Sequence, residues 1–228
     1  GPAYDAGDVL CEGDAMEVAQ QALADRLSPL LGEGHLPIVL GGGHEVAYAS
    51  WSGLAQHLTA SDEQAPRVGI INLDAHFDLR DPQHVRSSGT PFSQIADDCL
   101  QHGWPFRYAC LGVSRAANTR ALFQRADELG VMVREDREIT AQRLADIEQD
   151  LADFIRDCDH LYLTIDLDVL PAAEAPGVSA PAARGVSLAL IEPLIETIRD
   201  SGKLRLADLA ELNPGRDIDG RTARAAPE

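Results

Sequence analysis

Short apolar runs alternate with longer amphipathic stretches along almost the whole chain. Leu36–Leu40 (LPIVL), Arg67–Leu73 (RVGIINL), Arg107–Leu111, Val131–Val133, His160–Ile165 (HLYLTI) and Leu204–Leu212 (LRLADLAEL) read as strands. Helical candidates lie between them, near Glu12–Leu31, His44–Leu58, Pro91–His102, Ala117–Leu129, Ala141–Asp157 and Leu188–Asp200. Thr140 is a candidate N-cap, and Gly130 and Gly202 stand where helix C-caps are expected. Strands that alternate with helices need crossover connections, so the expected fold is α/β, with a mostly parallel sheet covered on both faces.

Composition narrows the partners. A length of 228 residues suits one large domain, and an apolar content of 45% argues against disorder. The net charge of −18 disfavours a nucleic-acid binder, which needs a basic patch to replace counterions. It equally disfavours a polybasic membrane anchor. There is no basic n-region followed by an apolar h-region, and no apolar run approaches the roughly 20 residues of a membrane span. Cys11, Cys99, Cys110 and Cys158 form no C-x-x-C pair and read as reduced thiols. The expectation is a cytoplasmic protein acting on a small molecule, with no nucleic acid and no membrane as partner. Both ends look cut. Gly1–Leu10 enters without a first strand, and Arg221–Glu228 resembles the opening of a helix that does not continue. The single domain over 1–228 is therefore expected to be incomplete at both termini.

Polar residues cluster where the strands should end, which is where open parallel sheets bind ligands. After RVGIINL comes Asp74-Ala75-His76-Phe77-Asp78. An extended backbone would project the three ligand-type side chains to one side. After HLYLTI comes Asp166-Leu167-Asp168, after Gly41-Gly42-Gly43 comes His44-Glu45, and after LRLADLA comes Glu211. Each piece alone has a plainer meaning, since Asp-x-Asp is usually a loop or helix cap. The triple glycine lacks the following Lys-Ser/Thr of a phosphate cradle. Together they bring carboxylates to one sheet edge, where unpaired they would repel. His44, Asp74, His76, Asp78, Asp166 and Asp168 are six ligand side chains, too many for one tetrahedral zinc. Two ions sharing carboxylates can use them. An oxygen-rich set with one imidazole per ion suits Mn²⁺, with iron, nickel, cobalt or zinc as competitors. His35, His57, His102 and His160 have no such setting, and His84, in the loop beyond Asp78, is the one to watch.

GGGHE at 41–45, NLDAHFD at 72–78 and TIDLDVL…APGVSAP at 164–181 resemble the three signatures of the ureohydrolase family. The resemblance implies a three-layer α/β/α fold, arginase-like, with two Mn²⁺ per subunit. It implies that His44, Asp74, Asp78 and Asp166 bind one ion. It assigns His76, Asp74, Asp166 and Asp168 to the other, with Asp74 and Asp166 bridging. Glu211 matches the family acid that faces the substrate's cationic carbon, and Asp168 the residue that serves the leaving nitrogen. A homo-oligomer is implied as well.

Departures from the pattern discriminate among members. Ser88 stands where arginase- and agmatinase-like sequences carry a His, and Val169-Leu170 replaces the usual Asp-Pro. The strings DAHFDLR, SSGTPF and LGVSRAANT resemble the formimidoylglutamase branch. That branch implies hydrolysis of N-formimidoyl-L-glutamate to L-glutamate and formamide by hydroxide held between two metals. Arg80, and more weakly Arg115, would bind substrate carboxylate, because guanidinium pairs with it bidentately. The plainer role for Arg80 is a salt bridge to Asp78 or Asp81. The alternatives are another ureohydrolase, such as a guanidino-acid hydrolase, agmatinase or arginase, and a catalytically impaired metal-binding homologue.

Overall fold

The computed structural model describes residues 2–61, 64–83 and 85–226. Six strands appear where the apolar runs lie: β1 (Ile38–Leu40), β2 (Val68–Leu73), β3 (Arg107–Val113), β4 (Met132–Glu135), β5 (His160–Asp166) and β6 (Leu204–Ala210). They form one sheet in the order β1-β6-β5-β2-β3-β4, and every pairing is parallel. The helices are α1 (Met16–Gly32), α2 (Val46–Ala60), α3 (Pro91–His102), α4 (Arg120–Glu128), α5 (Leu144–Arg156), α6 (Leu188–Asp200) and α7 (Arg221–Ala225).

The two-residue period of the strands builds the three layers. In β2, Val68 and Ile70 join a core with Trp51 and Leu54 of α2 and Phe92 and Ile95 of α3. Ile71 and Leu73 join a second core with Ile147 and Leu151 of α5 and Ile191 and Leu194 of α6. Neither face of β2 meets water, which is why its sequence reads as continuous apolar rather than alternating. Strand β1 is an edge, with Ile38 and Leu40 exposed.

Two local expectations change. Thr140 does not cap α5; its carbonyl accepts the Arg143 N–H in a turn, and the helix starts one residue later without a side-chain cap. Strand β6 stops at Ala210, two residues short of the expected Leu212, because Glu211 turns to φ +72°. Gly130 and Gly202 do lie just past α4 and α6 with positive φ, as helix termini favour.

Gly112 is the glycine the site depends on. Its φ is +106°, and β3 shifts register against β4 there. A Cβ would collide with Cγ2 of Val169 and lie 3.2 Å from the carbonyl oxygen of Asp74.

Candidate metal centre

Strands β1, β6, β5 and β2 are consecutive neighbours, so their carboxyl ends form one continuous ledge. His44 follows β1, Glu211 follows β6, Asp166 ends β5, and Asp74 follows β2. The ledge gathers the acids and imidazoles expected from the sequence.

They sort into two groups. Nδ1 of His44 lies 2.9 Å from Oδ2 of Asp78, 3.1 Å from Oδ2 of Asp74 and 3.3 Å from Oδ2 of Asp166. Nδ1 of His76 lies 2.9 Å from Oδ2 of Asp168 and 3.5 Å from Oδ1 of Asp74. His44, Asp74, Asp78 and Asp166 thus converge as one potential cation site, and Asp74, His76 and Asp168 as another. Of the two aspartates expected to bridge, Asp74 faces both histidines. Asp166 turns Oδ2 to His44, while its Oδ1 accepts the Asp168 N–H at 2.8 Å.

The Asp74–Asp78 segment is not the extended strand expected from alternation. It bends at Ala75 and His76, and Asp78 adopts φ +47°. The His76 N–H turns back to Oδ1 of Asp74 at 2.6 Å. The reversal sends Asp78 towards His44 and His76 towards Asp168, while Ala75 and Phe77 stay buried. Asp78 and Glu211 are two of the few non-glycine residues with positive φ, and strain of this kind gathers at functional sites. Glu211 is held in place twice. Its N–H donates to the Gly42 carbonyl at 2.7 Å, and its Oε1 accepts the His44 N–H at 3.3 Å. The glycine turn therefore locks two strand ends together.

Electrostatics mark the cluster as short of positive charge. Burial, followed by repulsion from Asp74, raises the pKa of Asp78 and Asp166, and pushes that of Asp168 up to about 7. Burial would lower His44 and His76, but the surrounding aspartates overcome it. They hold His44 well above its usual range and His76 at about 11. Asp74 moves the opposite way, because both histidines outweigh its burial. Four carboxylates drawn together in a buried site are the donor set that divalent cations neutralise, so the residues fit a two-ion centre.

Supporting residues escaped the sequence reading. Asn72 donates to Oδ2 of Asp74 at 2.9 Å, and Thr164 lies 2.9 Å from Nε2 of His44. Each stands two positions before a ligand-type aspartate, on the same strand face, and that spacing was a usable signal. The arginines diverge. Arg80 is exposed, packs over Gly89 and makes no ion pair with Asp78 or Asp81 among the described residues. Arg115 is engaged elsewhere: it pairs with Glu135 of β4 and lies over the Phe123 ring at 4.6 Å. His84 lies outside the described residues.

The sequence profile of the arginase family matches residues 2–228. A formimidoylglutamase of Ralstonia nicotianae is 61% identical over 222 residues, which are 97% of this chain and 68% of that protein. A formimidoylglutamase structure from Bacillus subtilis superposes with a TM-score of 0.84 at 23% identity, covering 98% of this chain and 68% of the other. A Trypanosoma cruzi formiminoglutamase structure with Mn²⁺ gives 0.82 at 24% identity, covering 98% and 71%. The two structural likenesses speak for the three-layer parallel fold.

Proposed function

The chain belongs to the arginase family, and from that membership we propose that it hydrolyses N-formimidoyl-L-glutamate to L-glutamate and formamide with two Mn²⁺ ions. It is a hydrolase acting on the carbon–nitrogen bond of a linear amidine. The substrate, the metal and the division of labour among residues are the proposal. The observation that carries it is the shared carboxylate of Asp74, with one oxygen turned to each histidine.

His44, Asp74, Asp78 and Asp166 would hold one ion, and His76, Asp74 and Asp168 the other, with Asp166 as a second bridge. Two bound divalent cations lower the pKa of a shared water, so that hydroxide is available near neutral pH. Glu211, fixed by the Gly42 carbonyl and the His44 N–H, pairs its carboxylate with the amidinium and orients the carbon for attack. Asp168 would take up the proton given off by the attacking water and pass it to the leaving nitrogen. The carbon–nitrogen bond to glutamate breaks, the nitrogen leaves as the amine of L-glutamate, and the carbon departs as formamide carrying the water oxygen. Arg80, two residues beyond Asp78 and without an ion pair among the described residues, offers its guanidinium to a substrate carboxylate. Arginine and agmatine present no carboxylate at the reacting end.

Cytoplasmic residence and assembly into a homo-oligomer complete the proposal. Among the described residues, no helix is long and apolar enough to cross a membrane. Turnover of N-formimidoyl-L-glutamate, arginine, agmatine and a guanidinoalkanoate with Mn²⁺ tests the substrate. Faster hydrolysis of any of the other three reassigns it, and no hydrolysis of any of them by metal-loaded protein points to an impaired homologue.

A further inference from the structure

Asn118 lies in the connection between β3 and α4, and it is 8% exposed. Its carboxamide is spent entirely on backbone. Oδ1 accepts the Phe77 N–H at 3.1 Å, and Nδ2 donates to the carbonyls of Ala75 at 2.9 Å and Ser114 at 2.8 Å. Ala75 and Phe77 flank His76.

The β2–β3 ladder explains why an amide is needed here. It continues past the strand ends, with the Asp74 N–H on the Leu111 carbonyl at 3.0 Å and the Ser114 N–H on the Ala75 carbonyl at 2.9 Å. The chain of β3 then turns away towards α4, and the Phe77 N–H loses any main-chain neighbour. A buried N–H without a partner is costly. The Asn118 side chain supplies the missing rung, taking the carbonyl before His76 and the N–H after it as a neighbouring strand would. The His76 carbonyl accepts from Sγ of Cys110 at 3.2 Å, and the His76 N–H donates to Oδ1 of Asp74 at 2.6 Å. The two peptide groups around His76 are thereby fixed on both edges.

The two histidines need this support unequally. The His44 side chain is 1% exposed, wedged between Thr164 and the edge of Phe92. The His76 side chain is 20% exposed, so packing constrains it less and its backbone must aim it. We propose that Asn118 is the positioning residue of the His76 half of the centre, directing that ring to Asp74 and Asp168 without touching metal or substrate. The inference rests on the two-ion reading.

Calorimetric Mn²⁺ titration of the metal-stripped chain tests it, with Mn²⁺ electron paramagnetic resonance as a second readout. The wild type should bind two ions. In Asn118→Ala, one binding event should weaken roughly 10- to 100-fold, as loss of a ligand-orienting partner does, and the other should stay. His76→Ala should weaken the same event, and the double variant Asn118→Ala/His76→Ala should lose nothing more. Thr119→Ala removes the N-cap of the adjacent helix and should lower thermal stability while both ions bind normally. Asn118→Ser is made alongside in case the alanine variant does not fold. Two unweakened events in the Asn118 variants, equal weakening of both, additive loss in the double variant, or failure of both variants to fold would each overturn the proposal. A wild type that binds no Mn²⁺ would overturn the two-ion reading itself.

Discussion

His44 and His76 address opposite oxygens of one carboxylate: Nδ1 of His44 lies 3.1 Å from Oδ2 of Asp74, and Nδ1 of His76 lies 3.5 Å from Oδ1. Asp74 is fully buried and accepts from Asn72 as well, so it has no freedom to serve one side only.

That sharing orders the effects of ligand removal. Asp74→Ala should abolish binding of both ions, and Asp166→Ala should strip metal affinity in the same way. Asp78→Ala should cost the ion on the His44 side alone. Metal content by atomic absorption after dialysis checks this. An Asp74→Ala protein that keeps one tight ion, or an Asp166→Ala protein with unchanged content, contradicts the shared-ligand arrangement.

The arginines should separate cleanly. Arg80→Ala should raise KM for the dicarboxylate by roughly tenfold or more and lower kcat less, the pattern of lost uniform binding by a charged hydrogen bond. Arg115→Ala breaks its pair with Glu135, so it should lower the melting temperature and leave KM alone. Steady-state kinetics with thermal melts decide. An unchanged KM in Arg80→Ala removes it from substrate binding.

The metal-free protein should become less stable as pH rises. Asp78, Asp166 and Asp168 have raised folded-state values, that of Asp168 about 7 against 3.8 for a free side chain. The folded state therefore keeps protons that the unfolded chain releases from about pH 4 upwards, and this stability is lost as pH rises through 7. His76, at about 11 against 6.5, extends the loss above neutrality. Asp74 contributes in the opposite sense, but its gain is complete once the pH exceeds its unfolded value. Calorimetric melts in chelator from pH 5 to pH 8 should show a falling midpoint, with a shallower slope in Asp168→Asn. Mn²⁺ binds the deprotonated ligands, so the stabilisation it confers should grow over the same range. A midpoint in chelator that is flat or rising refutes the charge assignment.

Gly112→Ala should destabilise by about 2–4 kcal/mol, from the left-handed backbone and the collision with Val169. The added methyl also presses on the Asp74 carbonyl, so metal affinity should fall with stability. Urea unfolding measures the first effect. A loss within about 0.5 kcal/mol would mean the β3 bulge relaxes freely.

Much of the fold was legible because its signals are local. Helices α3 and α6 have the bounds that the sequence indicates, α3 opening at Pro91 and closing on Gly103 at φ +70°. Strand β2 could be read from seven nearly uncharged residues because both of its faces are buried. Where the reading failed, long-range partners had intervened. Arg115 reads from the sequence as a weaker candidate for a substrate carboxylate, and the structure pairs it with Glu135 of β4. The Asp74–Asp78 segment looked extended, but the structure bends it at Ala75 and His76 and ties it by hydrogen bonds with Asn118, Tyr108 and Cys110.

The sequence by itself determined which side chains stand at the carboxyl ends of strands, because strand periodicity and glycine turns act over a few residues. It also indicated that several carboxylates gather at one edge of the sheet. The tertiary structure alone decided that β1, β6, β5 and β2 are neighbours, and so that His44 meets Asp166 across more than a hundred residues of chain. It alone decided which oxygen of Asp74 faces which histidine. The reason is that strand order and loop reversal are settled by burial and by satisfying every buried N–H and carbonyl at once, and no short stretch of sequence contains that condition.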